Sequence, residues 1–173
     1  MIKKVLIMGG AGFIGFNIAK FLQKKTNYHI TIADNLSRGK MDSYFSDFIS
    51  NDNVEFIEGD FTKEETFNKL GNDYDYFYML AAVVGVNNTL KIPGEIIRIN
   101  TSLTLHTLEW LRKGNAKNVV FTSTSENYAG TIDHFGYQIP TPEEVPLSIV
   151  DISHPRYTYA VTKILGESGF LNY

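Results

Sequence analysis

The stretch from Lys3 to Leu22 constrains the fold more than any other. Lys3-Lys4-Val5-Leu6-Ile7-Met8 reads as a short buried strand, Gly9-Gly10-Ala11-Gly12-Phe13-Ile14-Gly15 as a tight turn, and Ile18, Phe21 and Leu22 as the helical pattern that follows. Strand, glycine turn and helix start, in that order, make a cradle for a nucleotide pyrophosphate. Glycine lets the backbone turn sharply and approach the phosphates, while free N–H groups at the helix N-terminus face the negative charge. Roughly 20 residues beyond the turn, Asp34 ends a second strand-like run, Ile30-Thr31-Ile32-Ala33, where an acid binds both ribose hydroxyls of an adenosine. The plain alternative is a tight strand–helix turn with no ligand, and the flanking context on both sides disfavours it.

At 173 residues the chain suits one domain, and 43% hydrophobic with 20% charged residues is an ordinary globular balance. A net charge of -3 argues against a nucleic-acid partner. The chain has no cysteine, so disulfides, thiolate metal sites and cysteine nucleophiles are absent, and no metal is expected. Two lysines before an apolar run resemble a secretory signal, but Gly9, Gly10, Gly12 and Gly15 would cripple the helix such a signal needs. No apolar stretch approaches the roughly 20 residues of a membrane span. A soluble, cytoplasmic protein with no membrane partner is the expectation.

Strand-like and helix-like patterns alternate, which predicts an α/β fold: a Rossmann-type, doubly wound parallel sheet with helices on both faces. A mixed helical pattern covers Lys40 to Ile49. Val54-Glu55-Phe56-Ile57 is a third strand ending at Gly59-Asp60, and a charged helix follows around Lys63 to Leu70. Tyr74 to Leu80 is an aromatic-rich fourth strand running into Ala81-Ala82. Ile96 to Arg112 is a helix, and Val119-Val120-Phe121 is a fifth strand ending in Thr122-Ser123-Thr124-Ser125. Gly130 to Pro155 is a loop, long enough to be functional or disordered, before a last helix from about Arg156.

On that last helix Tyr159 and Lys163 stand one turn apart and project from one face. A phenol near pKa 10 is a poor base at neutral pH. A lysine ammonium one turn away, with the positive nicotinamide ring nearby, favours the phenolate. Proton removal from a sugar hydroxyl can then accompany hydride transfer. Taken alone the pair reads as a surface helix pair; its force comes from the glycine turn at the other end of the chain.

These segments together resemble the extended short-chain dehydrogenase/reductase family, specifically its NAD-dependent nucleotide-sugar epimerases and dehydratases, over essentially the whole chain. Gly9-x-x-Gly12-x-x-Gly15 matches the family's cofactor turn, Asp34-Asn35-Leu36 its post-strand acid, and Leu80-Ala81-Ala82 its strand end along the cofactor. The resemblance implies that Gly9, Gly12, Phe13, Ile14, Gly15, Asp34, Asn35, Asp60, Phe61, Leu80, Ala81, Ala82, Asn100, Thr122 and Ser123 bind NAD, with Tyr159 and Lys163. Ser123-Thr124-Ser125-Glu126-Asn127-Tyr128 resembles the family's hydroxyl segment, which makes Thr124 catalytic with Glu126, Tyr159 and Lys163. Glu167 completes a Lys-x-x-Gly-Glu typical of the family. Each has a plainer reading: Asn100 satisfied by solvent, the hydroxyls capping a strand end, Asp60 capping a helix, Asp34 capping a turn.

The chain departs from the family pattern in three places. Tyr128-Ala129-Gly130 inserts an alanine where Tyr-Gly is common. Arg38 follows Asp34 closely enough to hold a 2′-phosphate, so NADP stays open. The family continues past the Tyr–Lys helix into a substrate lobe, so the chain is read as the cofactor half of a longer, homodimeric protein. The resemblance implies oxidation of a sugar C4 hydroxyl to a transient ketone. A 4-epimerase demands least of the residues present. Glu126 also fits the base of a 4,6-dehydratase or the segment of a UDP-glucuronate decarboxylase, although Ser125 stands at the dehydratase acid position. A non-catalytic NAD(P)-sensing domain is the alternative of another class, and cell-surface polysaccharide synthesis the expected setting.

Overall fold

The computed structural model describes residues 2–172, which divide into two compact units. The first runs to Ala82 and resumes over Leu105–Thr122; the second comprises Val83–Thr104 and the chain from Ser123 onward. The first unit holds β1 (Lys4–Met8), α1 (Phe13–Lys25), β2 (His29–Asp34), α2 (Ser43–Ile49), β3 (Val54–Glu58), β4 (Tyr76–Met79) and β5 (Val119–Phe121). The second holds α3 (Val86–Lys91), α5 (Ala129–Phe135) and α6 (Thr158–Asn172). The helix α4 (Pro93–Arg112) gives residues 93–104 to the second unit and 105–112 to the first.

All five strands are parallel, in the order β3-β2-β1-β4-β5. The order reverses at β1, which is therefore covered on both faces. That is why Val5, Leu6, Ile7 and Met8 form an unbroken apolar run, each at most 1% exposed. Val5 and Ile7 pack under α1 and α2 with Phe16, Phe45, Phe48 and Phe56. On the other face Phe77 meets Trp110 of α4, which also contacts Phe67 and Tyr74. The sheet thus has helices on both sides, as its alternating pattern predicts.

Met8 pairs in register with both Ala33 and Met79. The ends of β1, β2 and β4 are therefore level, which sets Gly9, Asp34 and Leu80 along one carboxyl edge at the reversal of strand order. Ligands in doubly wound sheets bind at that edge.

Some local expectations change. Phe21 is 62% exposed; Gly15 and Ala19 are the buried face of α1, because the helix lies too close to the sheet for larger side chains there. The charged segment after β3 forms only a 3-10 run, Glu64–Lys69. The stretch expected as loop from Gly130 contains most of α5, which stops at Gly136 in the left-handed region, φ 66°. The rest of that loop is tied down: Gly130 N donates to Ser148 O at 3.0 Å and the Thr131 hydroxyl donates to Pro146 O.

Candidate active site

In the first unit the glycine turn closes on itself and on its neighbours. Gly9 has φ +83°, and a Cβ there would lie 2.6 Å from Ala81 N; one on Gly15 would lie 2.5 Å from Gly9 O. These two glycines let the strand end, the turn and the first turn of α1 touch backbone to backbone. Gly12 differs: a Cβ would meet only Gly9 O, at 3.3 Å, so its outer side is open. Gly12 is also the N-cap residue of α1, which begins with no side-chain cap and no acid in its first turn. The positive end of the helix is left for an external anion. Phe13 and Ile14, 86% and 60% exposed, flank it.

Asp34 sits beside this turn. One carboxylate oxygen accepts from Ala11 N at 3.0 Å and the other from Leu36 N at 2.8 Å, so the acid stitches the turn to the end of β2. Each oxygen keeps a further lone pair for a ribose hydroxyl. The open Gly12 face, the uncapped helix start and the half-buried acid fit a dinucleotide. Asn35 turns its side chain back to Ser37 N, at 3.0 Å.

Other residues expected at the cofactor are also tied into the protein. Asp60 accepts from Thr62 N and the Thr62 hydroxyl, closing the turn after β3. Phe61 is 3% exposed with its ring edge-on to Phe67, so its side chain belongs to the core. Leu80 N donates to Met8 O, and Thr122 donates from backbone and hydroxyl to Met79 O. A cavity of about 610 Å³ lies elsewhere in this unit, lined by Phe67, His106 and Trp110 and by none of the predicted site residues.

In the second unit Lys163 is 4% exposed on α6, its ammonium 5.7 Å from the centre of the Tyr159 ring. Burial alone lowers the lysine from 10.5 to about 8. The same cause raises Tyr159 above its ordinary value. The lysine by itself thus leaves the phenol above its ordinary value; the expected lowering also called on a positive nicotinamide ring. The ammonium lies over the ring, and loss of water penalises both charged forms.

Asn100 holds this helix. Its amide pairs twice with the backbone of Val83, Oδ1 accepting from N at 2.8 Å and Nδ2 donating to O at 3.1 Å. Nδ2 also donates to Thr162 Oγ1 at 3.3 Å, and the Thr162 hydroxyl donates to Tyr159 O. Asn100 is 5% exposed, and the solvent-satisfied reading does not hold.

The hydroxyl segment forms a 3-10 turn, Ser125–Tyr128, capped by Thr124 Oγ1 accepting from Glu126 N at 3.3 Å. Accepting there leaves the Thr124 hydrogen to donate. The Ser123 hydroxyl donates to Glu167, and Glu126 pairs with Arg156 at 3.2 Å. Asn127, Thr162 and Arg156 escape a motif reading because each acts through one contact with a distant segment. Arg156 had a signal: in sequence it stands three residues before Tyr159, and the structure puts it in the 3-10 turn Pro155–Tyr157 that leads into α6. The glycine displaced to position 130 also has its reason, since a Cβ there would lie 2.3 Å from Ser148 O.

A glycine cradle with an acid ending the next strand, in a chain that also sets a buried Lys163 beside a half-buried Tyr159, is the pattern of dinucleotide-dependent enzymes acting on hydroxyl groups. The NAD dependent epimerase/dehydratase family matches residues 5–173, and the chain belongs to that family. It is 34% identical over its whole length to the UDP-N-acetyl-alpha-D-glucosaminuronate decarboxylase of Bacillus cytotoxicus, covering 50% of that protein. It is 33% identical over 82% of its length to UDP-arabinose 4-epimerase 1 of Arabidopsis thaliana, covering 34% of it. The UDP-glucose 4-epimerase of Bifidobacterium longum, solved with NAD+ and UDP, superposes with a TM-score of 0.76 at 25% identity, over 96% of this chain and 47% of that one. The chain spans about half the length of the first of these relatives.

Proposed function

We propose that this chain carries the NAD-binding and proton-transfer parts of a nucleotide-sugar 4-epimerase. The observation that carries the proposal is the buried Lys163 beside Tyr159, on a helix whose Thr162 is held by Asn100. Gly9, Gly12, Gly15 and Asp34 would hold the cofactor, which supplies a hydride acceptor when bound. Tyr159, as phenolate, takes the proton from the sugar C4 hydroxyl, and Thr124 donates its free hydrogen to the same oxygen and orients it. The chain alone leaves the phenol above its ordinary value, so the phenolate depends on the positive charges of Lys163 and of the bound cofactor. Epimerisation is favoured over dehydration because it asks for no further acid or base, and Ser125 stands where the resemblance puts a dehydratase's acid. The cell-surface polysaccharide setting and a homodimer belong to the same proposal. Ile97 of α4 and Val161 and Leu165 of α6, 38–44% exposed, are apolar surface suited to a second copy.

Tyr159→Phe tests the proposal in the full-length protein. It should leave NAD binding intact by calorimetry and cut conversion of a nucleotide-sugar by roughly a hundredfold or more, the range for losing a general base. Near-normal conversion would remove Tyr159 from the chemistry.

A further inference from the structure

The segment that carries Thr124 is tied at two places, to α6 and to the 3-10 turn Pro155–Tyr157 that leads into it, and they bracket the Tyr159–Lys163 pair. One turn beyond Lys163, Glu167 accepts through a single oxygen, Oε1, both from the Ser123 hydroxyl and from Asn127 Nδ2 at 2.8 Å. Asn127 Nδ2 also donates to Ser123 Oγ at 3.0 Å, closing a triangle. From the 3-10 turn before Tyr159, Arg156 reaches Glu126 at 3.2 Å. Arg156 and Glu167 thus hold residues 123, 126 and 127; Thr124 lies between the held points.

The two ties differ in strength. Asn127 is 0% exposed, so its bond to the carboxylate is shielded from water. The Arg156–Glu126 pair, 50% and 32% exposed, is wet and weaker.

We infer that Glu167, acting through Ser123 and Asn127, is a positioning residue that registers the Thr124 hydroxyl against Tyr159, with Arg156 as a second, weaker anchor. The inference rests on the proposed roles of Thr124 and Tyr159. It also assigns Ser123, expected to bind cofactor, to the scaffold. Glu167 touches no reacting atom. Because both bonds end on Oε1, glutamine can keep them without the charge, and alanine cannot.

The test compares Glu167→Gln, Glu167→Ala and Ser123→Ala in the full-length protein by amide hydrogen exchange over residues 125–128 and by steady-state rates. Glu167→Ala should speed exchange and lower kcat by roughly tenfold to a hundredfold, as expected for losing bonds to a charged acceptor, with KM nearly unchanged. Glu167→Gln should restore both to within about fivefold of wild type. Ser123→Ala removes a surface hydroxyl without threatening the fold, and should move both measures in the same direction by a smaller factor. It decides the matter if Glu167→Ala does not fold. Glutamine no better than alanine would show that charge, not registration, is what Glu167 supplies, and would overturn the inference. Faster exchange with an unaltered kcat would overturn it as well. If the wild type converts no nucleotide-sugar, the proposed function fails separately, and exchange unchanged in all variants still rejects the tie.

Discussion

Lys163 shows most directly how burial sets chemistry at a single residue. Its value is lowered to about 8, so between about pH 8 and 10.5 the unfolded chain binds a proton that the folded chain does not. Stability therefore rises with pH through that window, and the penalty on the buried ammonium is complete below it. The gap corresponds to on the order of 3 kcal/mol. Lys163→Met should accordingly remove this rise, so that the variant's stability relative to wild type falls as pH climbs from 8 to 10.5. A relative stability that grows with pH would contradict the assignment. Asp34 makes a second prediction at this scale. Its charge repels a 2′-phosphate, so calorimetry should show NAD binding more tightly than NADP. Asp34→Ala should weaken NAD more than NADP, by roughly 1.5–3 kcal/mol. Tighter NADP binding by the wild type would give the decisive role to Arg38.

Among the elements, the strand–turn–helix unit of β1 and α1 depends on backbone contact. Gly15→Ala pushes a methyl to 2.5 Å from Gly9 O, and Gly9→Ala adds a positive φ to a 2.6 Å clash with Ala81 N. Both lie against main chain that cannot step aside. Each should cost roughly 2 kcal/mol or more in urea denaturation, as overpacking and backbone strain do. Gly94, near the start of α4, has nothing within 4 Å of its would-be Cβ. Gly94→Ala should be neutral or stabilise by up to about 1 kcal/mol, since alanine is the better helix former. Equal losses at Gly15 and Gly94 would mean that helix propensity, not close approach, governs the turn. The turn was legible in the sequence because glycine spacing is a local signal. The short helices α3 and α5 were not: α5 owes its place to Gly130 closing on Ser148, a contact with the far end of its own loop.

For the whole molecule the open choice is between reactions, and Glu126 separates them. A dehydratase must break the C5–H bond; a 4-epimerase leaves it intact. Conversion in deuterated water by the full-length protein should place no deuterium at C5, and Glu126→Gln should retain substantial activity because the Arg156 pair is exposed and worth at most about 1 kcal/mol. Deuterium at C5 with loss of elimination in Glu126→Gln would establish a dehydratase. Release of carbon dioxide from a glucuronate substrate would replace both readings with a decarboxylase.

The sequence by itself determined the parallel sheet, its strands and the residues at their carboxyl edge. Those follow from period, glycine spacing and chain direction, which are properties of neighbours along the chain. It also placed Tyr159 and Lys163 on one face, because helical geometry relates residues one turn apart. Only the tertiary structure decided what those groups experience. Burial lowers Lys163 and raises Tyr159 together, which no spacing could disclose. Phe61 turns into the core, Asn100 reaches across to Thr162, and Ser123 and Asn127 close on Glu167. Each of these joins residues far apart in the chain, and desolvation and hydrogen-bond geometry exist only once folding has brought them together.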